Sequence, residues 1–366
     1  MQILTRRPAL RWIAPVALAL AVGGTGVVAV NADADPKLAP RTAEQLLVDL
    51  QGSDVAGLSG TVVQEAQLGL PALPSMGGGA DASQLTSLLT GSHTLRVWYD
   101  GPDKARFALL DDDLGETDVI VNGSDLWTWS YQDRKATHAT LPEDSGPGER
   151  RTAAPGVPTT PQEAARTALD AIGDSTVVST DSAVEVANRP ARELVLAPTD
   201  QRSLITQVRI AVDDETSAPL RVQVLGQDAQ TVAEIGFTAV DFSAPDDGQF
   251  AFNPPSGTEV TEKGALEAPE RKAPSAADRE AAEAAKAATE VVGEGWTTVV
   301  VTELPADAAA ADGQLGAVLA TLPTVSGTWG SGKLLAGTAF SAVLTDDGRV
   351  AVGAVQPQLL YDALAK

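Results

Sequence analysis

Leu95–Leu141, LRVWYDGPDKARFALLDDDLGETDVIVNGSDLWTWSYQDRKATHATL, is the stretch whose reading decides the fold. Leu95, Val97 and Tyr99 alternate with Arg96 and Trp98, and Trp127, Trp129 and Tyr131 alternate with Leu126, Thr128 and Ser130. A period of two with aromatic and β-branched enrichment is the mark of strands. Asp100-Gly101-Pro102, Asp111–Gly115 and Asn122-Gly123 carry turn chemistry and break the run. The pattern predicts an antiparallel meander of about four strands. Three of the chain's six tryptophans fall in it, and a cluster of large rings either fills a sheet core or lines an apolar cavity.

Outward from this stretch the same logic continues. Upstream, Thr42 followed by Gln45 forms a capping-box pattern, with Leu46, Leu47 and Leu50 on one helical face and Gly52 placed as a stop. A first strand around Ser59–Val63 runs on toward Leu70. Pro71–Ala82 reads as a flexible loop, and Leu85, Leu88 and Leu89 as a short amphipathic helix. Downstream, Thr160-Pro161-Gln162-Glu163 starts a helix, with Ala165, Ala168, Leu169 and Ile172 facing inward. A second strand series follows: Thr176–Val186, Ala191–Leu196, Leu204–Val212, Leu220–Leu225 and Ala233–Phe242. Residues 261–294 turn to Glu, Lys, Ala and Pro and read as an acidic linker with a solvated helix over Ala276–Thr289. From 295 to 366 a small module carries a strand at Thr297–Thr302 and a helix near Gln314–Leu322. It adds a hairpin of Thr338–Leu344 and Val350–Val355 across Asp346-Asp347-Gly348, and a last helical turn at Leu359–Leu364.

The run Val121-Asn122-Gly123-Ser124-Asp125-Leu126-Trp127, then a charged turn, then Ala136–Leu141, resembles the bacterial lipoprotein carrier (LolA-like) family, as do Pro102, Lys104 and Arg106-Phe107 upstream. The resemblance extends to the sigma-factor regulators of the RseB/MucB type, which add a smaller C-terminal domain. It implies an α+β fold: a curved, unclosed antiparallel β-barrel with lid helices over residues 38–260, followed by a small α+β C-terminal module. It also implies a concave apolar face that receives acyl chains. Trp98, Phe107, Leu109, Trp127 and Trp129 are the candidate lining residues. The carriers have an Arg directly before the Pro, tethering the lid; here that position is Gly101. The implied function is binding of an acyl chain, lipoprotein or other hydrophobic ligand. The alternative is a regulator that binds a membrane anti-sigma factor in envelope-stress signalling.

Composition narrows the classes. Lys plus Arg is 26 and Asp plus Glu is 49, a formal net charge of −23. Such a surface argues against nucleic acid and anionic head groups as partners. The chain has no Cys, which excludes disulfides, thiolate metal sites, a Cys nucleophile and acylation through a lipobox. His93 and His138 stand apart from any nucleophile pattern, and Asp111-Asp112-Asp113 lacks the spacing of a calcium loop. Gly327-Thr328-Trp329-Gly330-Ser331-Gly332-Lys333 matches the first seven positions of a P-loop, but Leu334 stands where Ser or Thr would hold Mg²⁺, so a Gly-rich turn is expected. No enzymatic chemistry, metal or cofactor is expected. At the N-terminus, Arg6, Arg7 and Arg11 precede the apolar run Trp12–Val30, close to the roughly 20 residues that span a bilayer. Residues 1–32 are therefore a cleaved secretory signal or an uncleaved membrane anchor, and either places the remainder outside the cytoplasm.

Overall fold

The computed structural model describes residues 38–39, 41–67, 92–110, 115–141, 160–265, 289–303 and 319–366. The loop and helix expected over 71–89, the Asp111–Asp113 run, most of the 261–294 segment and the N-terminal apolar run lie outside them. Among the described residues no helix is long and apolar enough to cross a membrane.

Leu95–Leu141 forms five strands rather than about four: β2 (His93–Asp100), β3 (Lys104–Leu110), β4 (Glu116–Asn122), β5 (Asp125–Ser130) and β6 (Lys135–Thr140). The extra break is the charged turn at 131–134, where Arg134 takes a φ of 51°. The β4–β5 connection is tight. Asn122 pairs with Asp125, and Gly123 supplies the positive φ of 62° that such a turn needs. Before the meander lie α1 (Ala43–Gly52) and β1 (Gly57–Ala66). After it come α2 (Pro161–Asp170), β7 (Thr176–Val186), β8 (Arg189–Pro198), β9 (Gln207–Asp213), β10 (Pro219–Leu225), β11 (Thr231–Asp241) and β12 (Glu259–Ala265).

These twelve strands form one sheet in the order β12-β6-β5-β4-β3-β2-β1-β11-β10-β9-β8-β7. Pairing β1 with β11 joins the two halves of the series. The edge strands β12 and β7 are not neighbours in this order, so the sheet is unclosed. Register shifts at Thr61/Val62 in β1, Val224/Leu225 in β10 and Thr180/Ala183 in β7 mark bulges, which bend a sheet and raise its twist.

Both helices start as the sequence dictates. Thr42 and Gln45 close a reciprocal capping box on α1, and the Thr160 hydroxyl accepts from the Glu163 amide at 3.3 Å at the start of α2. Leu46 and Leu50 of α1 and Ala164, Ala165 and Ala168 of α2 are buried. They share a core with Val62, Val97, Leu194, Ile210, Val222 and Ile235, so one face of the sheet is roofed by helices. The other face of the meander is covered by the segment that leaves β11. Phe250 is buried there, and Phe252 packs at 5.2 Å from the Trp127 ring and 6.0 Å from Trp129.

A second sheet of six strands, ordered β13-β14-β18-β17-β16-β15, comprises β13 (Thr289–Val292), β14 (Val299–Glu303), β15 (Thr324–Gly327), β16 (Gly330–Ala336), β17 (Ser341–Thr345) and β18 (Arg349–Gly353), with α3 (Pro357–Leu364) against it. The hairpin across Asp346-Asp347-Gly348 forms, with Gly348 at a φ of 90°. The described end of the helix expected near 314–322, residues 319–321, is helical. The segments flanking the strands join the two units: the Leu204 amide donates to the Ala354 carbonyl at 2.8 Å, and the Trp296 indole donates to the Thr176 hydroxyl of β7 at 2.9 Å. Two strands depart from the linker reading. β12 crosses the expected boundary at residue 260 and pairs with β6, and Thr289, read as helical, belongs to β13. The side chains of β12 are all exposed, so no apolar periodicity announces it.

Candidate functional site

The helix-roofed face holds the apolar cleft. Its floor is Leu58, Val97, Phe107, Phe237 and Phe242, and its rim is Asp54, Gln162, Glu163 and Arg166. The free volume is about 110 Å³. Gly60 makes this floor possible: a Cβ there would sit 2.9 Å from the Phe237 ring and 2.7 Å from the Ala239 carbonyl oxygen. A second cavity, about 210 Å³, is lined by Leu50, Ala165 and Leu169 and shares Gln162, Arg166 and Pro219 with the first. Gln162 and Arg166 are four apart on α2, hence on one helical face, and that face separates the two spaces.

Strand pairing divides the five sequence-predicted lining residues. Val97, Phe107, Val119 and Thr128 are opposite one another on successive strands and so share a face. Phe107 is in the cleft. Leu109 lies two residues on and shares the face, but it is not part of the cleft lining. Trp98 pairs with Arg106, Arg106 with Ile120, Ile120 with Trp127, and Trp127 with His138. That row, with Trp129, is on the opposite face. Trp127 and Trp129 are thus packed beneath Phe252, Trp98 is stacked under Arg106, and none of the three is part of the cleft lining. The physical reason is the turn lengths, which place odd-numbered β2 and β3 residues beside even-numbered β5 residues. Sequence reading missed Val97, which the β2–β3 pairing sets opposite Phe107, and Leu58, Phe237 and Phe242, which join it only through the pairing of β1 with β2 and β11.

The outer face has its own electrostatics. Arg106 lies 5.2 Å from the Trp98 ring and pairs with the buried Asp118 at 2.8 Å. Burial raises the Asp118 carboxyl above its ordinary range, and Arg106 offsets this only in part. A polar groove of about 510 Å³ beside α1 is lined by Arg41, Asp49, Arg192 and Asp214, but these charges already pair with one another. The P-loop lookalike is a β-hairpin: Gly327 pairs with Gly330, and the Lys333 ammonium donates to the Thr324 hydroxyl at 2.9 Å and the Leu322 carbonyl at 3.3 Å. No helix N-terminus follows to cradle a phosphate. Among the described residues no group of three or more His, Asp and Glu could hold a metal ion.

An open sheet, antiparallel but for its last edge strand, roofed by two helices over an apolar cleft and followed by a small sheet-rich unit, is the class of fold this chain defines. Residues 159–265, from the start of α2 through β12, match the family model of the MucB/RseB N-terminal domain, and the chain resembles that superfamily. No curated protein matches it. Among solved structures it is similar to the Pseudomonas aeruginosa MucA/MucB complex, with 14% identity, 88% of this chain and 96% of that chain covered, and a TM-score of 0.40. An uncharacterized conserved protein from Thermus thermophilus shows 11% identity over 60% of this chain and 99% of its own, with a TM-score of 0.33. The LolA superfamily protein NE2245 from Nitrosomonas europaea shows 9% identity over 58% and 99%, with a TM-score of 0.23.

Proposed function

We propose that the protein acts outside the cytoplasm, without catalysis, by taking a hydrophobic group into the cleft beneath α2. The observation that carries this reading is the floor of three Phe rings, Leu58 and Val97 ringed by Asp54, Glu163 and Arg166. An apolar slot with a few polar groups at its mouth suits an acyl chain or other apolar group bearing a polar head. At about 110 Å³ the closed cleft is smaller than the roughly 300–1,000 Å³ of sites that bury a drug-sized ligand. It takes a chain end as it stands. A longer chain requires α2 to move, which would merge the cleft with the neighbouring cavity. The sheet-facing residues of α2 that are fully buried are small ones, Pro161, Ala164, Ala165 and Ala168. Each buries little area, so displacing the helix is less costly than displacing a Leu-faced one. A fluorescent fatty acid titrated into the full-length protein tests the reading. Val97→Trp, which fills the floor, should weaken binding about tenfold, or 1.4 kcal/mol. Absence of binding by any hydrophobic probe to the wild type would end it.

The second reading is a regulator that binds the external part of a membrane anti-sigma factor. It is favoured by the family match over residues 159–265 and by the second sheet docked through Leu204 and Trp296. Titration of the external segment of the host's anti-sigma factor, with and without fatty acid, separates the two.

A further inference from the structure

β12 differs from every other strand of the large sheet. It is the one paired in parallel, and none of its seven residues is buried. Such an edge strand gains almost nothing from apolar burial, so backbone pairing and side-chain bonds must hold it. The backbone hold begins with the Glu259 amide donating to the Arg134 carbonyl at 2.9 Å. The tightest side-chain hold is His138 on β6. Its Nδ1 lies 2.8 Å from Glu262 Oε2 on β12, and its Nε2 lies 3.1 Å from Asp125 Oδ1 on β5.

Both ring nitrogens therefore face carboxylates. A neutral imidazole donates from one nitrogen and turns a lone pair toward the other carboxylate; only the imidazolium donates to both. The ring is fixed in this orientation by stacking on Trp127, with centroids 4.3 Å apart and planes 16° from parallel. Phe252, packed on Trp127 from the covering segment, brings no charge. The charged groups that face the ring are thus Asp125 from β5 and Glu262 from β12. One neighbouring pair, Lys135 with Glu259 at 4.0 Å, is exposed and long. Beyond Glu262 the pairing slips before Ala265, with Gly264 at a φ of 66°. Among the described residues, His138 is accordingly the last side-chain hold before the chain leaves toward the second sheet.

We propose that β12 is a releasable strap, fastened to the β6 edge by the protonated His138 ring between Asp125 and Glu262, and that loss of this proton lets β12 peel away. Release would bare the backbone groups of β6 and add seven residues of free chain ahead of the second sheet. The direction of titration agrees with the geometry. Burial pulls the imidazole down, but the bonds to Asp125 and Glu262 and their charges outweigh it, leaving His138 above its ordinary 6.5. A raised value means the fastening is complete below 6.5, while the carboxylates stay ionised, and is lost as pH rises through the folded value.

Hydrogen–deuterium exchange on the full chain at about pH 6 and about pH 8.5, corrected for intrinsic exchange chemistry, reads this directly. Residues 135–140 and 259–265 should be about tenfold better protected at the lower pH, with β1 and β11 unchanged. Glu262→Gln and His138→Phe, which keeps an aromatic ring on Trp127, should both abolish the pH dependence. Glu262 is 65% exposed, so its substitution leaves the fold intact and decides the matter if the His138 variant does not fold. Equal wild-type protection at both pH values, or an unaltered pH response in Glu262→Gln, would overturn the proposal.

Discussion

Trp129→Ala discriminates most sharply between the two faces of the meander. Trp129 is only 8% exposed and packs on Phe252 with centroids 6.0 Å apart. A buried Trp removes on the order of 200 Å² from water, which at about 25 cal/mol per Å² is a transfer contribution of ~5 kcal/mol. Alanine recovers a small part, and the void left beneath Phe252 adds a further cost. The expected loss is therefore about 3–5 kcal/mol, a large share of the ~5–15 kcal/mol that holds an ordinary domain together. Urea denaturation followed by far-UV circular dichroism measures it as a lowered midpoint. Under native conditions the same variant should bind a fluorescent fatty acid as the wild type does, because the ring is on the face away from the cleft. Phe107→Ala should show the reverse emphasis, with weakened probe binding as its main effect. A Trp129→Ala variant that lost less than about 1 kcal/mol while losing probe binding would place the tryptophans in the ligand cavity and refute the face assignment.

Two further outcomes follow from single contacts. Asp213 is almost fully buried and held by Arg189 at 2.6 Å. Burial pushes its carboxyl up, but Arg189 and the Thr216 bonds outweigh this and hold it below its ordinary 3.8. Its contribution is present above 3.8 and lost as pH falls through the folded value. Asp213→Asn should cost about 3 kcal/mol at neutral pH and flatten the acid limb of a stability–pH profile. Thr160→Ala removes the cap of α2 and should lower stability by about 1 kcal/mol, measurable as a shift in the urea midpoint.

The helices were legible because their start signals are local. Thr42 with Gln45, and Thr160-Pro161 with Glu163, announce α1 and α2 within four residues each. The strands were legible for the same reason, since alternation needs no partner. The face of each ring was not, because a one-residue difference in a turn inverts a whole strand. Pairing Asn122 with Asp125 across Gly123-Ser124 fixes Trp127 opposite Ile120, and pairing Tyr99 with Ala105 fixes Val97 opposite Phe107. Those turn lengths were present in the sequence, so the separation of Phe107 from Trp127 could have been worked out from them. The cleft itself could not. Phe237 reaches it from β11, far along the chain, over the space left by Gly60. β12 was illegible for a different reason: an exposed edge strand has no apolar face to betray it.

The two faces of the large sheet are covered by different means, and that difference bears on what can move. Outside, the cover is aromatic and charged: Phe250 is buried, Phe252 packs on two tryptophans, and Lys104 reaches Asp247 at 2.5 Å. Large rings in mutual contact lose much when separated, so this cover stays closed. Inside, the fully buried residues of α2 are Pro161 and three alanines, with Leu169 partly buried beside them, above a cleft that is already partly open. Small contacts are lost at small cost, and a ligand that fills the cleft replaces them with its own apolar area. On the proposed reading a hydrophobic ligand would therefore have its differential affinity on the α2 side, and only such a difference shifts a conformational equilibrium. β12 is at the far edge, fastened by backbone pairing with β6 and by the His138 contacts whose release by deprotonation is proposed above. Under the two proposals the sheet would separate an apolar response at α2 from an electrostatic one at β12, with the Trp127, Trp129 and Phe252 rings packed on the face away from the cleft.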